Sequence, residues 1–388
     1  MKKLLTLLLT LFVALTLVAC TTDKETPTPV DPKPTDPKPT DPEFTVGEDD
    51  LYLITDLGTI DDKSFNQGSY EGLDKFAKEA GLEKAQYIRP QGEGDQVYKA
   101  AIDQAVAAGA KVIVTPGFLF EGAVHEAQEQ YPNVKFIAVD FEPAVNYVPK
   151  VGANTVSLLY REEQSGFLAG YAAVKDGYTK LGFMGGMAVP AVVNFGYGYL
   201  SGAEYAAKEM GVDVEVKYHY TGKFVESPEI QTLAASWYNS GTEVIFSCGG
   251  GIYASVLAAA KQSTDKFVIG VDSDQTVEDE LFITSAMKSL QTSVYDAAKA
   301  VYAGNFQGGK TLRYGADQDG VSLSSDFSRF KTFTETDYKA IYDKLAKNTD
   351  GILDSIYSIA DSKEGDNLTV KEVMSTLTFE KVTLEIFE

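Results

Sequence analysis

From residue 51 onward, short apolar runs alternate with stretches of helical pattern. The first apolar runs are LYLIT, AQYIRP, KVIVTPG and VKFIAVD, and the helical patterns between them lie near residues 64–80, 95–108 and 120–130. Strands that alternate with helices indicate βαβ units, in which successive strands run parallel within one sheet. Residues 51–157 are therefore predicted to form an α/β lobe with a parallel sheet flanked by helices.

The same alternation begins again in the second part of the chain. Its apolar runs are KLGFMGG, VDVEVKYHYTG, TEVIFSCGGG and KFVIGVDSD, with helical patterns near 193–209, 228–239 and 252–262. This repetition predicts a second α/β lobe over residues 158–288. The remaining residues, 289–388, contain two further helical patterns, near 292–303 and 336–346, and the run VTLEIFE. We expect them to cross back to the first lobe and to brace both lobes.

The N-terminus has the layout of a secretory signal, with Lys2 and Lys3 before the apolar run LLTLLLTLFVALTL. It ends in Leu-Val-Ala-Cys, which resembles the lipobox of bacterial lipoproteins. The resemblance implies that residues 1–19 are removed and that Cys20 receives a lipid; the alternative is an ordinary signal peptide with an incidental cysteine. No later segment has the length and apolarity of a membrane span, so the mature protein is expected to be anchored to a membrane rather than threaded through it.

Residues 20–50 are predicted to be the lipid-bearing cysteine followed by a proline-rich tether. The sequence DPKPT occurs twice in tandem, at 31–35 and 36–40. Prolines at this spacing favour extended polyproline II and cannot form a core. The segment is expected to be a spacer between the membrane and the first lobe, although such prolines can also serve as a ligand for another protein.

The overall charge narrows the classes of partner. The chain has 34 basic and 56 acidic residues and a net charge of −22. A surface this acidic repels phosphate backbones, which argues against nucleic-acid binding. Solubility alone would explain the excess of acid.

Polar and glycine residues collect where the predicted strands end. In open parallel sheets, ligands bind outside the carboxyl ends of the strands. These ends carry Thr55-Asp56, Arg89-Pro90, Thr115-Pro116-Gly117 and Asp140 in the first lobe, and Gly185-Gly186, Thr221-Gly222, Gly249-Gly250-Gly251 and Asp272-Ser273-Asp274 in the second. If the lobes face each other, these positions line a cleft suited to a small ligand.

The stretch TDLGTIDDKSFNQ at 55–67 contains two kinds of polar residue. Asp61, Asp62 and Ser64 directly precede a helical pattern and are candidate helix caps. Asp56 ends an apolar strand, where a cap is not yet needed, and is therefore a candidate ligand contact. Phe65 is either a packing residue at the start of the helix or part of the ligand site.

Motifs of catalysis, cofactor binding and metal binding are lacking in the sequence. There is no G-x-x-x-x-G-K-[ST], no complete G-x-G-x-x-G after a strand and no G-x-S-x-G. Asp272-Ser273-Asp274 begins like a calcium loop, but Val277 stands where the loop needs glycine and no glutamate completes it. His125 and His219 are far apart and are interpreted as structural, and Cys248 as a buried, inert thiol. The protein is expected to be neither an enzyme nor dependent on a cofactor or metal.

Several longer motifs resemble one known family. TDLGTIDDKSFNQGSYEGL, EEQSGFLAGYAA, LGFMGGMAVPAVVNFGYGYLSGA, TGKFVESPE, GVDSDQ and TSAMKS are similar to segments of the basic membrane protein family, the substrate-binding lipoproteins of certain ABC transporters, which include the purine nucleoside receptor A type. The resemblance is good over about 50–290. It implies a two-lobed periplasmic-binding-protein fold of the ribose-binding class (class I). It also implies a receptor that passes a nucleoside, in particular a purine nucleoside, to an ABC permease. By default we expect a monomer, and the predicted lipid anchor would hold it at the outer face of the cytoplasmic membrane.

The resemblance also implies a role for individual residues around the base. Phe65 and Phe224 would cover its two faces from opposite lobes, with Phe195 as the alternative to Phe224. Asp56 and Asn66 would lie beside the base. Aromatic rings suit its apolar faces.

For the base edge and the sugar, the resemblance implies polar contacts. Asp140 would hydrogen-bond the polar edge of the purine, while Asp272 and Lys288 would bind the ribose hydroxyls. Gly249 and Gly250 would let the backbone approach the ligand closely. Carboxylates are strong acceptors for diols.

Three alternative functions can be weighed against the sequence. The same receptor could take a free sugar or another small polar metabolite, since aromatic residues also stack on sugar rings. A nucleoside-processing enzyme would need a nucleophile, base or metal set that the motifs do not supply. A role as a surface adhesin or signalling partner leaves no clear mark in the sequence.

Overall fold

The computed structural model describes residues 45–146, 148–363 and 368–388, which belong to one compact unit. The predicted signal peptide, Cys20 and most of the predicted tether lie outside the described residues. Within the described ranges, no helix combines the length and the apolarity needed to cross a bilayer.

The secondary structure falls into three consecutive parts. The first part contains β1 (Leu51–Ile54), α1 (Phe65–Glu79), β2 (Gln86–Ile88), α2 (Asp95–Ala108), β3 (Val112–Pro116), α3 (Glu121–Gln130), β4 (Lys135–Val139), β5 (Ala144–Val145), β6 (Val148–Pro149) and β7 (Thr155–Tyr160). The second part contains α4 (Glu162–Lys175), β8 (Lys180–Gly185), α5 (Pro190–Met210), β9 (Val214–Tyr220), α6 (Pro228–Asn239), β10 (Val244–Cys248), α7 (Ile252–Ala260), β11 (Phe267–Asp272) and β12 (Phe282–Lys288). The last part contains α8 (Leu290–Tyr302), β13 (Lys310–Tyr314), β14 (Val321–Leu323), α9 (Glu335–Ala346), α10 (Val370–Val373) and β15 (Val382–Ile386).

Two large sheets organise these elements. The first has the strand order β2-β1-β3-β4-β7-β13, with every neighbouring pair parallel. The second has the order β15-β9-β8-β10-β11-β12-β14 and is parallel except for β14, which runs antiparallel to β12. The predicted fold class, two α/β lobes with parallel sheets flanked by helices, is confirmed.

The chain passes between the two sheets three times. It leaves the first sheet after β7, returns along α8 to place β13 beside β7, and then crosses again to β14. Glu162, the first residue of α4, and Lys288, the last residue of β12, lie at the first two crossings. These connections between the sheets form the hinge of the molecule, and they bring the charged residues Glu162 and Lys288 close together.

Helices α4 and α5 form the closest helix pair of the second lobe because glycines replace side chains where they cross. Gly166 and Gly170 on α4 face the backbone of α5, and Gly198 and Gly202 on α5 face the backbone of α4. A Cβ atom added at any of these four positions would overlap a carbonyl oxygen of the partner helix. Since α5 also carries apolar residues of the cleft described below, this crossing fixes one wall of the site.

We expect Gly202→Ala to lower the free energy of unfolding by about 1–3 kcal/mol, the usual effect of overpacking a filled core. The new methyl group would overlap the carbonyl oxygen of Phe167 and force the helices apart. Urea unfolding measures the change. The control is Lys208→Ala on the exposed side of α5, which removes only surface ion pairs and should cost less than about 1 kcal/mol. Equal stability of Gly202→Ala and the wild type would show that the crossing tolerates a side chain.

Candidate functional site

A cleft lies at the carboxyl edges of both sheets. In each sheet the strand order reverses direction once, between β1 and β3 and between β8 and β10, and such switch points open a crevice for ligands. Asp56 and Gly117 follow the first pair of strands, while Cys248 and Gly249 lie at the end of β10. All four line the same space, which measures roughly 660 Å³ including its open mouth.

The nine residues predicted to bind ligand all line this cleft: Asp56, Phe65, Asn66, Asp140, Phe224, Gly249, Gly250, Asp272 and Lys288. Their convergence is a matter of position, and their contact with a ligand stays a prediction. From the sequence, Gly117 was placed at the cleft only as a strand end and Phe195 was given only as an alternative. The rest of the lining was not assigned to the ligand: Gly58, Asp62, Phe118, Leu119, Val189, Ala191, Val192, Cys248 and Val271. Phe118 and Leu119 lie just beyond the end of β3, and Ala191 and Val192 lie in the first turn of α5. The rule that ligands bind at strand ends does not single out residues this far from the last residue of a strand.

At the start of α1, Asp62 caps the helix with its side chain and Ser64 does not. The Asp62 carboxylate accepts hydrogen bonds from the backbone N–H groups of Ser64 at 2.9 Å, Asn66 at 3.0 Å and Gln67 at 3.1 Å. Ser64 occupies the N-cap position but makes no capping hydrogen bond with its side chain. Its hydroxyl instead donates to Asp272 Oδ2 at 2.7 Å, across the cleft. The prediction of Ser64 as a side-chain cap is therefore wrong, because Asp62 already satisfies the helix start.

Asp56 is a buried carboxylate with one oxygen engaged by its own lobe. Asp56 Oδ1 accepts hydrogen bonds from the Gly58 N–H and from Asn66 Nδ2, both at 2.9 Å. A Cβ atom added at Gly117 would lie 3.0 Å from Oδ2, so this glycine leaves room around that oxygen. Burial is the main cause that raises the pKa of Asp56 to about 6, and the negative charges of Asp62 and Asp272 act in the same direction. The hydrogen bonds from Gly58 and Asn66 oppose this rise.

Asp56→Asn should stabilise the protein at neutral pH. Because the pKa of Asp56 is raised from 3.8 to about 6, its favourable protonation is complete below about pH 4 and is lost as the pH rises through about 6. An asparagine keeps the Oδ1 acceptor without the buried charge, so we expect a gain of about 1–3 kcal/mol at pH 8 and little at pH 4. Urea unfolding of both proteins at the two pH values measures this. The same gain at both pH values would contradict the assignment.

Lys288 stands at the centre of a buried cluster of charges. Its ammonium pairs with the Asp140 carboxylate and lies 3.2 Å from Asp272 Oδ1 and 4.0 Å from Glu162 Oε1. Only 2% of the Lys288 side chain is exposed. Burial alone lowers the pKa of Lys288, but Asp140, Asp272 and Glu162 outweigh it and raise that pKa above its ordinary value. Lys288 thus remains charged and joins the two lobes.

The two aspartates of this cluster occupy matching positions in the two sheets. Asp140 directly follows β4 and Asp272 ends β11, and each has the left-handed backbone angle φ of 66°. This conformation is uncommon outside glycine and concentrates at functional sites. The sharp turn aims both carboxylates at Lys288 instead of continuing the strand.

Aromatic rings lie on both sides of the cleft. The Lys288 ammonium is 4.5 Å from the centroid of the Phe65 ring, which places a cation at one side of that ring. Phe224 rests on the end of β8, where a Cβ atom added at Gly186 would lie 2.5 Å from its ring. The Gly251 N–H donates to the Phe224 carbonyl at 2.8 Å. The glycines of both turns therefore position Phe224 through close backbone packing.

The cleft contains one thiol and no histidine among its described lining residues. Burial raises the pKa of the Cys248 thiol well above its usual value, which keeps it protonated and poorly nucleophilic. Within the ranges that the structure covers, no group of three or more His, Cys, Asp or Glu residues is arranged to hold a metal ion.

The chain is similar in sequence to known proteins. Residues 51–358 match the family described as "ABC transporter substrate-binding protein PnrA-like". The ABC transporter nucleoside-binding protein BmpA of Lactococcus lactis subsp. cremoris is 32% identical over 293 residues, which cover 71% of this chain and 81% of that protein. The CD4+ T-cell-stimulating antigen of Listeria monocytogenes is 32% identical over 303 residues, covering 73% of this chain and 80% of the antigen.

A solved structure shows the same architecture. An ABC transporter system solute-binding protein from Aeropyrum pernix K1 superposes with a TM-score of 0.66 and 25% identity over 77% of this chain and 90% of that one. The fold, the cleft and the matched sequence together confirm the family resemblance. The chain belongs to the PnrA-like family of ABC transporter substrate-binding proteins.

Proposed function

We propose that this protein captures a nucleoside, most favourably a purine nucleoside, in the cleft between its lobes and hands it to an ABC permease. A substrate-binding protein of an ABC importer works outside the cytoplasm with a small-molecule ligand and a permease as partners. The nucleoside assignment is supported by the name of the Lactococcus relative. The observation that carries it is a cleft with aromatic rings from both lobes beside several buried carboxylates.

The apolar part of the cleft suits a flat heterocycle. Its walls are formed by Phe65, Phe118, Leu119, Val189, Val192, Phe195 and Phe224. Phe65 comes from the first lobe and Phe224 from the second, so a base inserted between the lobes would bury both of its faces. Aromatic contacts of this kind add to the hydrophobic gain of burial. A free sugar would leave much of this wall unused.

The polar groups of the cleft are mostly acceptors. Asp56 and Asp140 line the cleft with buried carboxylates, and Asp56 Oδ2 lies beside the open Gly117 position. Acceptors of this kind match the N–H groups of a base and the hydroxyl groups of ribose. Asp272 already accepts from Ser64 and pairs with Lys288, so it offers a fixed carboxylate to the sugar.

The charge of the cleft favours a nucleoside over a nucleotide. Four carboxylates, those of Asp56, Asp62, Asp140 and Asp272, share the lining with a single ammonium, that of Lys288. Lys288 is paired with two of these carboxylates, so it has little capacity to neutralise a phosphate. Placing a phosphate dianion among these acids would be unfavourable.

Direct contacts between the lobes supply the closing step. Besides the Ser64–Asp272 bond, Ser273 Oγ donates to the Ser64 carbonyl at 3.0 Å and Gln275 Nε2 donates to the Lys63 carbonyl at 3.1 Å. A ligand that binds better to this closed arrangement shifts the equilibrium between open and closed forms toward it. The receptor thus needs binding energy and no catalysis.

We also propose that the protein is a monomer held at the outer face of the cytoplasmic membrane by a lipid on Cys20. The sequence pattern before Cys20 supports the anchor, and one archaeal relative, 29% identical over 294 residues, is described as a lipoprotein. The proline-rich stretch that follows would give the lobes reach toward a permease.

Thermal unfolding with a panel of ligands tests the proposed specificity. At 1 mM ligand, adenosine, guanosine and inosine should raise the Tm clearly, since a ligand at 100 times its Kd stabilises the fold by about 2.7 kcal/mol. Uridine should act less, and ribose, adenine and adenosine monophosphate should have little effect. A large shift with ribose alone would instead establish the sugar receptor. If chromatography of the samples shows that the protein has converted a nucleoside into a product, the protein is an enzyme.

A further inference from the structure

We propose that Glu162 is a positioning residue of the ligand site and that it acts as a neutral carboxylic acid, donating its proton to Asp140. In this role Glu162 holds Asp140 and Lys288 in the geometry that receives a ligand. The effect on ligand binding rests on the proposed function, whereas the protonation of Glu162 does not.

Glu162 is buried between Lys288 and Asn194. It is 3% exposed at the start of α4, and its Oε1 lies 4.0 Å from Lys288 Nζ. Asn194 Nδ2 donates to Glu162 Oε2 at 3.3 Å, and Asn194 Oδ1 accepts from the Ile359 N–H at 2.8 Å. Glu162 is thus held between the hinge cluster and a segment close to the C-terminus.

The hydrogen-bond pattern leaves a place for one proton. Lys288 bonds Asp140 Oδ2 and lies near Asp272, but at 4.0 Å it does not hydrogen-bond Glu162. Asp140 Oδ1 is buried without a donor among the described residues. A protonated Glu162 supplies that donor, and a hydrogen bond between these two carboxyl groups stabilises the ionised form of Asp140.

The electrostatics of the cluster favour the same state. Three carboxylates around one ammonium would leave two negative charges uncompensated in a buried site. Burial, followed by the charge of Asp140, raises the pKa of Glu162 well above its ordinary range, while Lys288 opposes this. With Glu162 neutral, the cluster retains two carboxylates and one ammonium.

Other titratable groups also face this position, from every element packed around it. They are Asp140 after β4, Tyr160 on β7, Glu163 on α4, Cys248 on β10, Asp272 on β11 and Lys288 on β12. Three further charged residues line the same pocket as Glu162: Glu121 on α3, Glu142 after β4 and Arg313 on β13. Glu163 pairs with the half-exposed Arg161 at 3.6 Å and does not face Lys288 within ion-pair distance. Burial raises the pKa of both Tyr160 and Cys248, which favours their neutral forms.

The consequence is a ligand affinity that falls at alkaline pH. Since the pKa of Glu162 is raised in the folded protein, the stabilising proton is fully present at acid pH and is lost as the pH rises through the folded-state value. The new negative charge repels Asp140 and draws Lys288 away from Asp140 and Asp272. We expect the affinity for a nucleoside to fall about tenfold when Glu162 loses its proton.

The test compares wild type, Glu162→Gln, Glu162→Ala and Glu163→Gln by calorimetric titration from pH 6 to pH 10 with adenosine, whose base does not titrate in this interval. Glutamine keeps an N–H donor for Asp140 and cannot ionise, so its affinity should stay within about threefold of the wild type at pH 6 and should not show the alkaline loss. Alanine should bind about tenfold more weakly at pH 6. Glu163→Gln should retain the wild-type pH profile. An alkaline loss in Glu162→Gln equal to that of the wild type would overturn the proposal.

A second readout needs no ligand. We expect the wild type to lose Tm relative to Glu162→Gln as the pH rises, because the unfolded wild type releases the Glu162 proton while the folded protein retains it, and glutamine has no such proton. If none of these proteins binds any nucleoside, the proposed function fails, while the Tm difference still decides the state of Glu162. A constant Tm difference from pH 6 to pH 10 would show that Glu162 is ionised throughout and would refute the inference.

Discussion

Replacing Lys288 with methionine should lower the free energy of unfolding by about 3–5 kcal/mol and abolish measurable nucleoside binding. The substitution leaves Asp140 and Asp272 buried beside each other without a counter-charge, at side-chain exposures of 6% and 8%. It also removes the ion pairs that join the two lobes. Urea unfolding at pH 7.5 gives the stability, and calorimetric titration with inosine gives the binding.

A matched control separates the buried lysine from lysines in general. Lys339 pairs with Glu335 on the surface of α9, where both side chains are more than 60% exposed, so Lys339→Met should change stability by less than about 1 kcal/mol. Adding Asp140→Asn to Lys288→Met should recover part of the lost stability without restoring binding. If Lys288→Met alone is as stable as the wild type, the charges of the cluster are not coupled as the structure indicates.

Phe65→Ala should weaken nucleoside binding by roughly 5–150-fold, the range that corresponds to losing one base–aromatic contact of about 1–3 kcal/mol. Phe65 opens α1 and is only partly buried, so its removal leaves the core of the first lobe in place. Titration with inosine and with ribose measures both affinities. The affinity for ribose should change far less than that for inosine.

Two further variants sharpen this result. Tyr87→Ala removes an aromatic side chain that is 47% exposed and does not line the cleft, and it should leave both affinities unchanged. Phe65→Leu keeps apolar volume without a flat ring and should give an intermediate loss. Full inosine affinity in Phe65→Ala would favour a ligand that is recognised through its sugar or another polar group.

Much of the fold followed from periodicity because the buried strands of both sheets are continuous apolar runs. The helical pattern at 64–80 corresponds to α1 at Phe65–Glu79, and the pattern at 336–346 to α9 at Glu335–Ala346. The pairing of β13 and β15 with the sheet edges was not predictable. Both strands mix exposed residues with residues that are partly or fully buried, so their patterns do not indicate which edge they join.

The part of the candidate site that lies at strand ends could be predicted from local sequence patterns. Strand ends marked Asp56, Asp140 and Asp272, because ligands bind at that edge of a parallel sheet whatever the sequence. Glu162 was missed because an acid in the first turn of a helix is already explained by the helix dipole. Its burial depends on three segments that are distant in sequence, so no local pattern signals it. The same holds for Ser64, whose partner lies 208 positions away.

Isothermal titration of the wild-type protein with inosine and with ribose, under identical conditions, tests the central claim most directly. A receptor that encloses the base should bind inosine at least about a hundredfold more tightly than ribose, which corresponds to roughly 2.7 kcal/mol from burying the heterocycle. Tight binding of ribose without measurable binding of inosine or any other nucleoside would contradict the account.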